Sequence, residues 1–177
     1  MQLAEKIKMN IREIHDFPKP GIVFKDITPV LAQAALRQEI VLAIAENFRQ
    51  QAIDAVAGIE ARGFILGGMI AQVMGLPFIP IRKAGKLPYK SIREEYALEY
   101  GQAAIEVHQD AVAKGQRVLV HDDLLATGGT AAAAGKLVQK LGAEIAGFSF
   151  LINLSFLPGE QQLIRKFSQK PFSLVTF

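Results

Sequence analysis

Asp122 and Asp123 stand side by side behind an apolar run, Arg117-Val118-Leu119-Val120-His121, with Ala126-Thr127-Gly128-Gly129-Thr130 close after them. Two glycines let the backbone wrap tightly, so that several N–H groups can converge on one anion. A helix expected from about Thr130 adds the positive end of its dipole. Thr127 and Thr130 supply hydroxyl donors. This is a pocket for a single phosphate. The two carboxylates cannot face that phosphate as well. They suit a hydrogen-bond donor such as a ribose diol, or a metal ion. Taken as one unit, the motif describes a ribose 5-phosphate. The plain alternative is an acidic strand end followed by a Gly-rich turn and a capped helix. A Walker A loop is excluded, because five residues separate Gly129 from Gly135-Lys136 and Leu137 follows. No G-x-G-x-x-G fingerprint occurs.

Other residues suited to anions are Glu60-Ala61-Arg62-Gly63 and Arg82-Lys83-Ala84-Gly85-Lys86. Arg62 offers a planar fork that matches phosphate oxygens. Arg82, Lys83, Lys86, Lys90 and Arg93 place five positive charges in twelve residues, with Gly85 and Pro88 interleaved. That pattern fits a mobile flap over polyphosphate or a solvated loop. Few aromatic residues interleave beyond Tyr89 and Tyr96, which argues against a nucleic-acid patch. Glu94, Glu95 and Glu99 read equally as solvated loop carboxylates. His15, His108 and His121 are far apart and no HExxH occurs, so no zinc site is expected.

These residues need elements to position them. Leu3, Ile7, Ile11 and Ile14 predict a helix over 3–14, and Leu36, Ile40, Ile44 and Phe48 another over about 33–51. Strands are expected at 55–59, 78–81, 117–121, 145–152 and 172–176, with an edge strand at 104–107. Helices are expected at 63–75, about 130–141 and near 160–167. The stretch 82–101 reads as irregular. Such alternation predicts an α/β doubly wound sheet, whose ligands bind beyond the carboxyl ends of its strands. The 177 residues form one domain, 1–177, with residues 1–32 as a small hood. Residues 63–81 carry no charge, but Pro77 and Pro80 exclude a membrane helix. The net charge of +3 is too small to argue for nucleic acid or a membrane as partner. With no cysteine and no signal-like start, the chain reads as cytoplasmic.

The segment 118–130 resembles the phosphoribosyl-pyrophosphate (PRPP) motif of the type I phosphoribosyltransferases. Phe17-Pro18-Lys19-Pro20-Gly21-Ile22-Val23-Phe24-Lys25-Asp26-Ile27-Thr28-Pro29 is similar to the signature of the adenine-specific branch of that family. So are Gly58-Ile59-Glu60-Ala61-Arg62-Gly63-Phe64, Arg82-Lys83-Ala84-Gly85-Lys86-Leu87-Pro88 and Leu98-Glu99-Tyr100-Gly101. The resemblance implies a type I phosphoribosyltransferase-like parallel sheet flanked by helices under a small N-terminal hood. It implies a glycosyltransferase of purine salvage: adenine plus PRPP gives AMP and pyrophosphate. Mg²⁺ would arrive on PRPP or pyrophosphate, without a protein-made metal site, and the assembly would be a homodimer.

By the same resemblance, Arg62 is the catalytic arginine of the pyrophosphate loop, with Glu60, Ala61, Arg82, Lys83 and Lys86 as further pyrophosphate-binding positions. Asp122 and Asp123 take the ribose, and Ala126, Thr127, Gly128, Gly129 and Thr130 the 5-phosphate. Val23, Phe24 and Lys25 frame adenine. Glu99 shuttles the proton of its imidazole ring, beside the flap residue Tyr100. Two positions depart from the family: His121 stands where an aliphatic residue is usual, and Lys25 where arginine is frequent. The competing expectation is a PRPP- or nucleotide-binding regulatory protein of the same fold.

Overall fold

The computed structural model describes residues 1–97 and 101–177. Among the described residues the chain forms a seven-stranded sheet and a separate two-stranded hairpin. The order along the chain is α1 (Leu3–Asn10), β1 (Arg12–His15), β2 (Val23–Asp26), α2 (Thr28–Leu31), α3 (Ala34–Asn47), β3 (Ala55–Ile59) and α4 (Gly63–Met74). It continues with β4 (Phe78–Lys83), β5 (Ser91–Ala97), β6 (Gln102–His108), β7 (Arg117–Leu125), α5 (Gly129–Lys140), β8 (Glu144–Asn153), α6 (Gly159–Phe167) and β9 (Phe172–Thr176).

The large sheet runs β5-β6-β4-β3-β7-β8-β9. Strands β4, β3, β7, β8 and β9 are mutually parallel, and β6 and β5 complete one edge antiparallel. β3 is buried along its whole length and alternates between the two faces. Ala55, Ala57 and Ile59 join the apolar cluster under α5 and α6, while Val56 joins the cluster under α1 to α4. Such two-sided burial needs continuous apolar runs, which is why β3, β7 and β8 were legible as strands. Each fully buried Val, Leu or Ile contributes about 1.5–3 kcal/mol.

The structure bears out the parallel sheet flanked by helices and corrects several boundaries. Ile14 does not extend the first helix. Ile7 and Ile11 are buried, whereas Ile14 is 37% exposed and pairs with Phe24 across the β1–β2 hairpin. The second long helix stops at Asn47, with Phe48 as its cap. The strand at 104–107 is not the edge. β5 covers it, pairing from Ser91 opposite His108 to Ala97 opposite Gln102. Much of the stretch read as irregular is therefore strand. Its inner face carries Ile92 and Tyr96, which pack on the α5-side cluster. Between them lies Glu94, only 9% exposed, whose carboxylate binds Lys136 at 2.9 Å and Lys140 at 2.6 Å. Glu94 is thus no solvated loop residue. The two ammonium groups on α5 hold its carboxyl below the usual range.

Candidate active site

β7 runs on to Leu125, so Asp122 and Asp123 lie within the strand, and the Gly-rich turn follows its last residue. Gly128 has φ +84°, a left-handed conformation that a side chain resists, and α5 starts at the next residue. The first N–H groups of a helix lack acceptors of their own, so this turn offers donors to an anion. The loop rests on α6. A Cβ built on Gly159 would lie 2.3 Å from the Ala126 carbonyl oxygen, so only glycine permits this approach. With its amide turned to satisfy both neighbours, Gln162 donates to the Thr127 carbonyl at 2.5 Å and accepts from Lys166 Nζ at 3.1 Å. The structure therefore brings Ala126, Thr127, Gly128, Gly129 and Thr130 together as one loop. Its support from Gly159 and Gln162 lies some thirty residues away and carries no local sequence signal.

Arg62 immediately precedes α4 and reaches across to β7. Its Nε lies 2.9 Å from Asp123 Oδ2, an ion pair rather than an aligned hydrogen bond, and Asp123 is only 4% exposed. The guanidinium also covers the Phe24 ring, 5.1 Å from its centroid. Phe17 meets the same ring edge-on at 5.2 Å. Asp122 Oδ1 accepts the Asp123 N–H at 2.9 Å. A Cβ on Gly63 would stand 2.8 Å from that oxygen, so glycine makes room for the carboxylate. Burial, then the Asp123 charge, push Asp122 well above the usual carboxylate range. Burial also raises Asp123, with the Arg62 charge opposing. Two adjacent buried carboxyls beside one guanidinium can accept hydroxyl donors once that guanidinium moves.

The Glu60–Ala61 peptide is cis. The Glu60 carboxylate takes Arg82 in a two-pronged pair, at 2.8 and 3.2 Å, and accepts the Lys83 N–H at 3.0 Å. This partnership with Arg82 keeps its carboxyl below the usual range. Arg82 also donates to the Lys86 carbonyl at 3.0 Å. Lys83 and Lys86 side chains are exposed. Their turn is held by Glu106, a buried residue missed from sequence. It accepts the N–H groups of Lys86 and Leu87 at 3.0 and 2.9 Å. Burial raises the Glu106 carboxyl, but these backbone donors outweigh it and the net shift is downward.

A cavity of about 1110 Å³ opens between the hairpin and the loop. Val23 and Lys25 line one side and Ala126, Thr127 and Gly129 another. The carboxylate pair, Arg62 and the Glu60–Arg82 pair lie outside its lining and form a separate polar group. Arg62, touching both Phe24 and Asp123, ties the hairpin to that polar group. Leu154, Leu157 and Phe177, beyond β8 and β9, also line the cavity and were not singled out from sequence. Glu99 and Tyr100 lie outside the described residues.

His121 is fully buried on β7, its Nδ1 2.9 Å from Ser149 Oγ. Burial pushes its pKa down from 6.5 to about 3, so the ring is neutral at pH 7 and adds no charge beside Asp122. Between those two values the unfolded chain binds a proton that the folded chain does not. Its contribution to stability is complete above pH 6.5 and is lost as pH falls toward 3, at up to about 1.4 kcal/mol per pH unit. His121→Val should therefore flatten the fall of the unfolding midpoint between about pH 6 and 4. An acid limb identical to wild type would contradict this.

Comparison with known proteins agrees with this geometry. Residues 27–166 match the phosphoribosyl transferase domain family. The adenine phosphoribosyltransferase of Myxococcus xanthus is 50% identical over 175 residues, covering 99% of this chain and 94% of that one. The crystal structure of adenine phosphoribosyltransferase from Thermoanaerobacter pseudethanolicus superposes with a TM-score of 0.95 at 47% identity, covering 99% of this chain and all of the other. That of Saccharomyces cerevisiae, complexed with adenine and an imino-altritol bisphosphate, gives 0.89 at 36% identity, with 97% and 98% covered. No helix among the described residues is long and apolar enough to cross a membrane. By sequence along nearly its whole length and by fold, the chain belongs to the adenine phosphoribosyltransferases.

Proposed function

We propose that this chain moves the 5-phosphoribosyl group of PRPP to N9 of adenine, giving AMP and pyrophosphate. The carrying observation is one continuous cavity that joins Val23 and Lys25 of the hairpin to Ala126, Thr127 and Gly129 of the loop. A base and a 5-phosphate can then sit in one space, while Asp122 and Asp123, outside that lining, stand on β7 just before the loop. In this reading the 5-phosphate takes the N-terminus of α5 and the hydroxyls of Thr127 and Thr130. The ribose hydroxyls donate to the two carboxylates and displace Arg62 from Asp123. Arg62 then serves the pyrophosphate, with Ala61, Lys83 and Lys86 around it. Glu60 holds Arg82 in place for the same group.

Among the described residues β2 pairs only with β1. Residues two apart on a strand direct their backbone groups to the same side. Val23 and Lys25 thus offer a carbonyl and an N–H together, matching the 6-amino donor and N1 acceptor of adenine. A 6-oxopurine would leave these groups unpaired, at a cost of about 1–3 kcal/mol each. Phe24 gives the base an aromatic neighbour. As the bond from C1 of the ribose to pyrophosphate breaks, N9 attacks C1 and its ring proton passes to Glu99.

Magnesium belongs to the same reading. It would arrive on the phosphates of PRPP, and the carboxylate oxygens of Asp122 and Asp123 are hard donors that suit it. It would supply positive charge to offset that on the leaving pyrophosphate. The chain works as a homodimer in the cytoplasm on this reading. Leu42 and Val73, exposed along a groove between α3 and α4, give a second copy an apolar face, and sedimentation would measure the mass. AMP formation from adenine and PRPP, present with Mg²⁺ and lost on chelation, tests the reaction. Absence of AMP under any Mg²⁺ concentration would refute it.

Asp122→Asn and Asp123→Asn should each weaken PRPP binding while leaving adenine binding nearly unchanged. A charge-assisted bond to a hydroxyl is worth about 1.5–3 kcal/mol, or roughly 10- to 150-fold. Asp123→Asn should cost less than Asp122→Asn, because it also removes the Arg62 ion pair that PRPP has to displace. Calorimetric titration with PRPP decides, and unchanged affinity in both variants would rule out the diol assignment.

A further inference from the structure

The Lys25 side chain does not share the exposure of its hairpin. It is 9% exposed, in a strand whose neighbour Val23 is 39% exposed. A buried ammonium needs a counter-charge and oriented dipoles. Its charge partner is Glu13, directly opposite on β1, whose Oε1 accepts from Lys25 Nζ. That pair closes within the hairpin and cannot tie it to anything else. The second partner can. Lys25 Nζ sits 4.0 Å from the centroid of the Phe177 ring, the geometry of a strong cation–π contact. Lys8 of α1 lies over the same ring at 5.1 Å.

Phe177 is itself anchored to the large sheet. Its N–H donates to the Asn153 carbonyl at 2.9 Å, and its carbonyl accepts from Ser155 N–H at 2.9 Å and Ser155 Oγ at 2.8 Å. The ring thus stands fixed beyond β8 and β9, on the wall of the cavity that Lys25 and Thr127 also line. One aromatic ring joins the strand that frames the base to the sheet that carries the phosphate loop.

We infer that Phe177 is a positioning residue for base recognition: by holding the Lys25 ammonium it sets where the backbone edge of β2 stands in the cavity. This rests on the reading of β2 as the adenine-binding strand. The ring contacts and hydrogen bonds of Phe177 reach Lys8, Lys25, Asn153 and Ser155 rather than the phosphate loop, so its effect falls on the base. Leucine would keep apolar bulk without the ring quadrupole. Tyrosine would keep both.

The test is steady-state pyrophosphate release with adenine and PRPP varied in turn. In Phe177→Leu the KM for adenine should rise about tenfold while that for PRPP stays within about twofold. Phe177→Tyr should bring the adenine KM back to within about twofold of wild type. If Phe177→Leu does not fold by circular dichroism, Lys25→Met decides, since it removes the cation, keeps the stem, and should show the same adenine-selective rise. An unchanged adenine KM, an equal rise in both KM values, or a tyrosine variant as impaired as leucine would overturn the inference while wild-type activity stands. A wild-type chain that releases no pyrophosphate with adenine would overturn the functional reading and this inference with it.

Discussion

Arg62→Ala is expected to lower kcat/KM for PRPP by about 10²- to 10³-fold, the scale on which one preorganised donor to developing charge acts. In the proposed complex Arg62 is a forked donor to the negative charge that grows on the leaving pyrophosphate. The guanidinium has other duties that the same substitution removes. It stands against Asp123 and over the Phe24 ring. Without it the Asp123 carboxyl, already raised by burial, loses a cation that opposes the rise. Arg62→Lys keeps a charge but neither the fork nor the planar face, and should recover less than about a tenth of wild-type activity. Steady-state pyrophosphate release over a range of PRPP concentrations measures both variants. A loss under about fivefold for alanine, or full recovery with lysine, would remove Arg62 from the reaction.

Glu99→Gln is expected to lower kcat by about 10²- to 10⁴-fold, the range for a positioned general acid or base. N9 of adenine loses a proton as it gains the ribosyl group, and glutamine keeps the shape of glutamate but cannot take that proton. PRPP affinity should stay nearly intact, because the group acts on the base and chiefly in the transition state. Glu95 supplies the control. It is exposed on β5, pairs with Arg93 at 3.4 Å, and Glu95→Gln should retain near wild-type kcat. Glu94 cannot serve that purpose, since its carboxylate ties β5 to Lys136 and Lys140 of α5. Pre-steady-state and steady-state rates of AMP formation separate the cases. Equal rates in the Glu99 and Glu95 variants would leave the proton with another group.

What could be read from the residues alone was what the chain keeps local. Val118, Leu119 and Val120 announce a buried strand, and the carboxylates and Gly-rich turn follow them directly, so strand, turn and helix were visible as one unit. The strands at 55–59 and 172–176 were placed to the residue, because apolar runs bounded by polar residues leave few alternatives. The errors have a common cause. Ile14 continues a helical spacing, yet pairing with Phe24 decides its fate. β5 looked irregular because Glu94 breaks its apolar face, and the lysines that satisfy it lie on α5, after two further strands. Arg62 against Asp123, Glu106 under the Lys86 turn, and Phe177 beneath Lys25 are likewise contacts between distant segments. Residue types suggested Arg62 and Lys25 as participants, but not their partners.

The central claim is a transfer from PRPP to a 6-aminopurine, and pyrophosphate release measured side by side with adenine, hypoxanthine, guanine and orotate tests it most directly. The account predicts release with adenine, and turnover lower by at least about tenfold with each of the others, because their 6-oxo or pyrimidine edges leave the backbone groups of Val23 and Lys25 unpaired. Equal release with hypoxanthine or guanine, or release with orotate alone, would contradict it.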